Sequence, residues 1–280
     1  MLVSAAKIGI FRKMCYLCEQ KLDTMIKHPN VGCYEFTVEP FSEDFTSRIS
    51  WANMGNLMLR CAQYHADSHD FGFGPLSRER LSWVFSRLTI QLDRRPQTGE
   101  EFLISTWATG VQRGFTTRLF EVSDLDGRAY GWGHSIWALI NLDTRQPDDM
   151  SRLLEGGFGK ALLPTEDFPL GKPSRIRVTA EEPLSTRKVL YTDLDVNGHL
   201  NSIRSIDILM DQFPKADFDD DRLRRVEMAY AHEAFFGEEL GIFRNAPLDD
   251  GDSRIYDFEM RRPDGLPAVR ARLEFRNDAV

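Results

Sequence analysis

The chain has 280 residues, 42% of them hydrophobic and 28% charged, with a formal net charge of −8. That is enough for one large domain or two of ordinary size, with a substantial core. An acidic surface argues against nucleic acid as the main partner, because phosphate binding needs a basic face. No run approaches the roughly 18 apolar residues of a membrane span. The apolar stretch at the N-terminus is short and is interrupted by Arg12 and Lys13, unlike a signal peptide, so a cytoplasmic location is expected.

Residues 1 to about 30 read as helical, an extension over 1–31 ahead of the main fold. Cys15 and Cys18 have metal-ligand spacing, but no second close pair follows. Two helical cysteines packed in a core is the simpler reading. Cys33 to Pro40 alternates like a strand. Asn53 to Asp70 then reads as a helix, with Leu57, Cys61 and Tyr64 on one apolar face and Gly72, Gly74 and Pro75 ending it. Strand-like runs follow at Leu81–Leu92, Glu101–Val111, Phe115–Ser123 and Ala129–Leu142. The first unit so defined covers 32–145.

Residues 146–174 are rich in Gly and Pro and read as a linker, with a short helix near Met150–Glu155. A second unit over 175–280 then repeats the first. Its strand lies at Thr186–Tyr191, its helix at His199–Phe213, and further strands at Leu223–Ala231, Glu238–Arg244, Arg254–Arg261 and Val269–Phe275. Gly99-Glu100-Glu101-Phe102 and Gly237-Glu238-Glu239-Leu240 stand at the same stage of the two units. The fold class is α+β. Two copies of a helix wrapped by an antiparallel sheet form a double hotdog, whose sheets join edge to edge and so remove two open edges.

The densest chemistry lies in Tyr191 to Asn201. Asp193, Asp195, Asn197, His199 and Asn201 fall at every second position where a strand gives way to a helix. A helix start offers free N–H groups and the positive end of the dipole, a place to stabilise an oxyanion. A simple N-cap would need only one such residue.

This segment resembles the signature of acyl-ACP thioesterases, an Asp-x-Asn-x-His-x-Asn run after Tyr-x-Asp. Tyr230-Ala231-His232-Glu233-Ala234 resembles that family's Tyr-x-x-Glu-Cys segment. In the first unit, His65-Ala66, Trp83, Ser86-Arg87-Leu88, Arg95-Pro96, Thr106-Trp107 and Arg118-x-Phe120 are also similar to the family. The likeness runs from about Cys33 to Phe275.

The resemblance implies hydrolysis of a fatty acyl thioester on acyl carrier protein, in fatty acid synthesis, with no cofactor and no metal. It implies Asp195, Asn197, His199 and Glu233 as the catalytic set, with Asn201 supporting. Glu233 would be the general base if apolar surroundings raise its pKa. Backbone N–H groups from Gly198 to Leu200 are candidates for the oxyanion hole. Ala234 replaces the usual Cys, which rules out an acyl-cysteine at that position, and Ser205 replaces a Tyr.

The first unit's helix start, Ser50 to Asn56, lacks the acids and the histidine, while Arg95 falls opposite Glu233. One site per chain is therefore expected, with Leu57, Leu59 and Cys61 as candidates for the acyl tunnel wall. His65 and His69 have metal-ligand spacing but no evident third ligand. Arg222, Arg224 and Arg225, then Arg261 and Arg262, then Lys172, Arg175 and Arg177, are candidate patches for an acidic carrier protein. A homodimer is left open. The competing readings are a hotdog dehydratase or hydratase and a non-catalytic acyl-binding protein.

Overall fold

The computed structural model describes residues 28–165 and 168–277. The extension expected over 1–31 falls almost wholly outside these residues, as do Cys15 and Cys18. The first unit contains β1 (Gly32–Thr37), α1 (Trp51–Ser68), α2 (Phe73–Arg78), β2 (Leu81–Leu92), β3 (Glu101–Gln112), β4 (Phe115–Ser123) and β5 (Ala129–Asn141). Two short helices follow, α3 (Ser151–Leu154) and α4 (Gly157–Lys160). The second unit contains β6 (Ser185–Lys188), α5 (Arg204–Met210), β7 (Leu223–Tyr230), β8 (Glu239–Arg244), β9 (Leu248–Asp250), β10 (Ser253–Arg261) and β11 (Pro267–Arg276).

All eleven strands form one antiparallel sheet in the order β1-β3-β4-β5-β2-β7-β11-β10-β8-β6, with β9 paired to β10. The two units meet where β2 pairs with β7, from Arg87 opposite Ala229 to Gln91 opposite Arg225. The double hotdog and its continuous sheet are as expected from the sequence.

The helix α1 forms because its buried residues, including Trp51, Met54, Met58, Cys61 and His65, recur every three or four positions. Ser50 caps it, its Oγ accepting from the Asn53 N–H at 3.1 Å. A Cβ built on Gly55 would stand 2.9 Å from Ile203 Cδ1, so glycine is what lets α1 approach the second unit's helical turn this closely. One main core gathers Met54 and Met58 of α1, Leu88 and Ile90 of β2, Val226 and Met228 of β7, and Ile206 and Leu209 of α5.

On the sheet face away from the helices, the inter-repeat segment is fastened to the junction. Glu227, 2% exposed, accepts from the Ser174 N–H at 2.8 Å and its hydroxyl at 3.0 Å. Arg87 donates to the Ser174 carbonyl at 3.3 Å.

Three local expectations change. Phe73–Arg78 is a second helix, because Gly74 and Pro75 occupy its first turn, where proline needs no N–H donor. The second unit's helix is only Arg204–Met210, because Asn201 to Ile203 form the turn that caps it. The strand β9 and the helix α4 were not read from the sequence.

Candidate active site

The Asp195 to Asn201 loop is shaped by its own carboxylate. Asp195 Oδ1 accepts the backbone N–H of Asn197 at 2.8 Å and of His199 at 3.0 Å. Gly198 makes the turn with a φ of 77°, in the left-handed region. The loop closes by Asp195 N to the His199 carbonyl at 2.8 Å and Asn201 N to the Asp193 carbonyl at 2.8 Å. Asn201 Oδ1 accepts from Ile203 N at 2.8 Å and Arg204 N at 3.4 Å, so Asn201 acts as a helix cap. Asp193 is fully buried and is held by Arg187 at 3.0 Å.

The chain brings Glu233 against this loop. His199 Nδ1 lies 3.3 Å from Glu233 Oε1. The Phe235 ring packs edge-on against His199, with centroids 5.1 Å apart. The Asn197 side chain is exposed, and its amide has no hydrogen-bond partner among the described residues. Asp195, Asn197, His199 and Glu233 therefore share one place, at the join of a loop and the end of β7.

Two expectations about this site are corrected. The N–H groups proposed for an oxyanion hole are already engaged. Gly198 N donates to the Asp195 carbonyl at 3.1 Å, His199 N to the Asp195 carboxylate, and Leu200 N to the Ala234 carbonyl at 2.8 Å. The apolar surroundings expected for Glu233 are also missing. Its side chain is 43% exposed, and Arg145 Nη2 donates to the same Oε1 at 2.5 Å.

Arg145 was not found from the sequence. It lies 88 positions from Glu233, in the turn after β5 of the other unit. Asn141 shapes that turn by accepting the N–H groups of Asp143 and Thr144 at 3.0 Å each. Arg145 itself adopts a φ of 56°, uncommon for a residue with a side chain. The first unit thus supplies a cation to the second unit's site.

The first unit carries a copy of the same loop at Asp44 to Ser50, six positions earlier than the segment Ser50 to Asn56 set against it in the sequence. Asp44 N bonds the Arg48 carbonyl at 2.8 Å, Ser47 turns with a φ of 54°, and Ser50 N bonds the Ser42 carbonyl at 3.0 Å. Asp44 Oδ1 accepts the Thr46 N–H at 2.9 Å, as Asp195 does for Asn197. The comparison with Ser50 to Asn56 is therefore corrected. The first loop keeps an acid, but it has Thr46 for Asn197, Arg48 for His199 and Arg95 for Glu233.

Arg95 does stand opposite Glu233. Its side chain is 3% exposed and bonds Asp44, Asp221 at 2.7 Å, the Ile49 carbonyl at 2.9 Å and Thr46 at 3.1 Å. Asp221 comes from the second unit. The copy is a largely buried ionic joint that lacks the histidine and the glutamate of the second loop.

A partly open cavity of about 140 Å³ lies in the first unit between α1 and the sheet, lined mainly by apolar residues such as Leu59, Ala62, Phe71 and Phe158. Trp137 also lines it and stacks on Phe85 at 4.7 Å, which stacks on Tyr230 at 5.2 Å. The Tyr230 hydroxyl donates to the Ser202 carbonyl at 2.9 Å, so the row of rings runs from the cavity to the turn that follows the Asp195 to Asn201 loop. Of the expected wall residues only Leu59 lines this space. Leu57 and the fully buried Cys61 pack into the main core instead.

Residues 30–153 match the acyl-ACP thioesterase N-terminal domain family, and residues 177–277 match the acyl-ACP thioesterase C-terminal domain family. The chain belongs to the acyl-ACP thioesterase family. An acyl-ACP thioesterase from Bacteroides thetaiotaomicron is 38% identical, with a TM-score of 0.79 over 88% of this chain and 98% of that one. The chloroplast acyl-[acyl-carrier-protein] hydrolase FATB3 of Cuphea viscosissima is 25% identical over 91% of this chain and 67% of its own length. The 12:0-ACP thioesterase of Umbellularia californica shares the fold, with a TM-score of 0.75 over 89% of this chain and 98% of that one at 20% identity. This chain spans about half to two thirds of the length of the curated plant relatives it matches, down to 52% for FATB2 of Cuphea viscosissima.

The departures from the family pattern are visible in the structure. Ala234, where the family has Cys, is buried at 2% exposure and its carbonyl receives Leu200 N. Ser205, where the family has Tyr, is fully buried on α5, and its hydroxyl has no partner among the described residues. Among the described residues, no group of three His, Cys, Asp or Glu could hold a metal ion. Both nitrogens of His65 are engaged, by Asn30 and Arg118. Much of the basic charge is matched internally: Arg225 by Glu227, Arg261 by Glu259, and Arg262 by Glu238 and Asp264.

Proposed function

We propose that this protein hydrolyses the thioester of a fatty acyl chain on acyl carrier protein, giving the free fatty acid and the carrier thiol. The observation that carries this reading is the contact between His199 and Glu233 beside the loop that Asp195 cages. Water attacks the thioester carbonyl, its oxygen bonding to carbon as the carbon–sulfur bond breaks. The proton that water loses passes to Glu233 and then to the departing sulfur.

Glu233 Oε1 is occupied by Arg145 and His199, which leaves Oε2 to receive the proton; contacts to these two residues, in place of apolar surroundings, position the carboxylate. The free amide of Asn197 donates to the carbonyl oxygen, the task that the engaged N–H groups cannot perform. Asp195 acts through the backbone, holding Asn197 and His199 in place. The alkyl chain lies in the cavity of the first unit, whose largely apolar lining suits it. Ala234 offers no nucleophile, so no covalent acyl-enzyme forms there.

A second assignment is favoured by the side of the imidazole that faces Glu233. With Nδ1–H donated to the carboxylate, Nε2 is the free base and Glu233 becomes the orienting group.

The test is thiol release from acyl-ACP and acyl-CoA of several chain lengths. Release faster from acyl-ACP, lowered at least about a hundredfold by Glu233→Gln, supports the reading. A Glu233→Gln enzyme that keeps most of its rate while His199→Ala loses it assigns the base to His199. No release from any substrate sinks the thioesterase reading.

A further inference from the structure

One charged group on the cavity wall is not explained by hydrolysis. Arg118 of β4 is 5% exposed and lines a space whose other walls are mostly apolar. Its Nη1 donates to His65 Nδ1 at 3.1 Å and Thr106 Oγ1 at 3.3 Å. Among the described residues no carboxylate pairs with it, and neither Nε nor Nη2 makes a hydrogen bond.

The neighbouring histidine supplies no counter-charge. His65 Nε2 donates to the Asn30 carbonyl at 3.0 Å, which leaves Nδ1 as the acceptor for Arg118. Burial and the adjacent Arg118 lower the His65 pKa to about 3, so the ring is neutral at pH 7. Burial lowers Arg118 itself to about 10, so it remains a cation. Phe71 adds a ring face with its centroid 5.9 Å from Cζ. These contacts fix the side chain without neutralising it.

A buried ion without a partner is costly, because it has given up its hydration. The open Nε–Nη2 edge is the planar fork that receives both oxygens of a carboxylate. We propose that Arg118 forms a binding site for a carboxylate carried at the end of an aliphatic chain, with the chain in the apolar cavity. The inference rests on the reading of this cavity as the acyl-chain site. Two sources carry such a group: the free fatty acid released by hydrolysis, entering carboxylate first, and the distal carboxylate of an ω-carboxyacyl thioester.

The test follows the fluorescence of the full chain, whose Trp83 and Trp137 line the cavity, during titration with dodecanoate and with dodecan-1-ol. The proposal expects the acid to bind at least about tenfold more tightly. It also expects Arg118→Met to bring the two affinities together and Arg118→Lys to give an intermediate ratio. Equal affinities in the wild type overturn it, as does an acid preference that survives Arg118→Met. The wild-type comparison stands even if a variant fails to fold.

Steady-state hydrolysis then separates the sources. Competitive inhibition by dodecanoate but not dodecan-1-ol identifies the product. A higher kcat/KM for ω-carboxyacyl-ACP than for the unsubstituted chain identifies the distal carboxylate. Acid binding that produces neither effect places the carboxylate elsewhere and overturns the assignment. Failure to hydrolyse plain acyl-ACP counts against the thioesterase reading alone, because the binding ratio is measured without turnover.

Discussion

Replacing Arg95 by Met should weaken the fold and spare the chemistry, while Glu233→Gln should do the reverse. Methionine keeps most of the stem but removes the guanidinium that joins Asp44 and Asp221, whose side chains are 20% and 11% exposed. Removing one partner of a buried ion pair costs about 3–5 kcal/mol. The lower end applies here, because Asp44 keeps Thr46 at 2.6 Å and Asp221 keeps Arg48 at 3.6 Å. At about 2–4 °C per kcal/mol for a chain of this size, a loss of ~3 kcal/mol lowers Tm by about 6–12 °C.

At the second loop, Glu233 and Arg145 are 43% and 58% exposed, so their pair contributes only about 0–1 kcal/mol to stability. Glu233→Gln should therefore move Tm by less than about 4 °C while lowering hydrolysis at least about a hundredfold. Scanning calorimetry beside thiol release per folded molecule measures both variants. An Arg95→Met protein that keeps its Tm, or that loses turnover without losing stability, would refute the view of the first loop as a structural joint.

Arg145→Ala should lower kcat/KM about tenfold with little change in Tm, and Arg145→Lys should recover part of the rate, as steady-state kinetics would show. Ser205→Ala removes a buried hydroxyl without a partner, so the urea midpoint should stay the same or rise, by up to ~1 kcal/mol in stability. Burial holds His134 down to about 4 from its ordinary 6.5, and His65 to about 3. Below pH 6.5 the unfolded chain takes up protons that the folded chain refuses. Stability should therefore decline as pH falls towards 4, by up to about 1.4 kcal/mol per unit for each histidine. Urea titrations from pH 7 to 4 should show that slope reduced in His134→Gln, and an unchanged slope would refute the assignment.

The sheet was legible because its strands are long and alternate strongly. Leu81–Leu92 and Phe115–Ser123 begin and end where the sequence places them. The paired Gly-Glu-Glu segments were also a sound guide, for a physical reason. Glu100 accepts the Gln97 N–H at 3.0 Å, and Glu238 accepts the Phe235 N–H at 3.0 Å, so each carboxylate caps the same turn. The catalytic candidates were legible as a pattern of polar residues closed by one glutamate.

The rest depended on contacts that leave no local trace. Arg145 reaches Glu233 across a sheet, and nothing near either residue announces the other. The first loop was missed because Ser47 performs the turn of Gly198, and Arg48 and Arg95 replace the residues that marked the second loop. Its kinship lies in backbone hydrogen bonds, which different side chains can share. The N–H groups of Gly198 to Leu200 looked available only because a helix was expected to start there.

Arg145 serves the second loop, and Asp221 serves the first. Each repeat therefore depends on an ion supplied by the other, and the two have become unlike subunits of a heterodimer contained in one chain. Two second units paired as a symmetric dimer would present two copies of Glu233 and no Arg145, and two first units would leave Arg95 without Asp221. Substitutions in either repeat are thus constrained by residues of the other, and a second copy of either half in place of its twin would leave one of these ion pairs unmade.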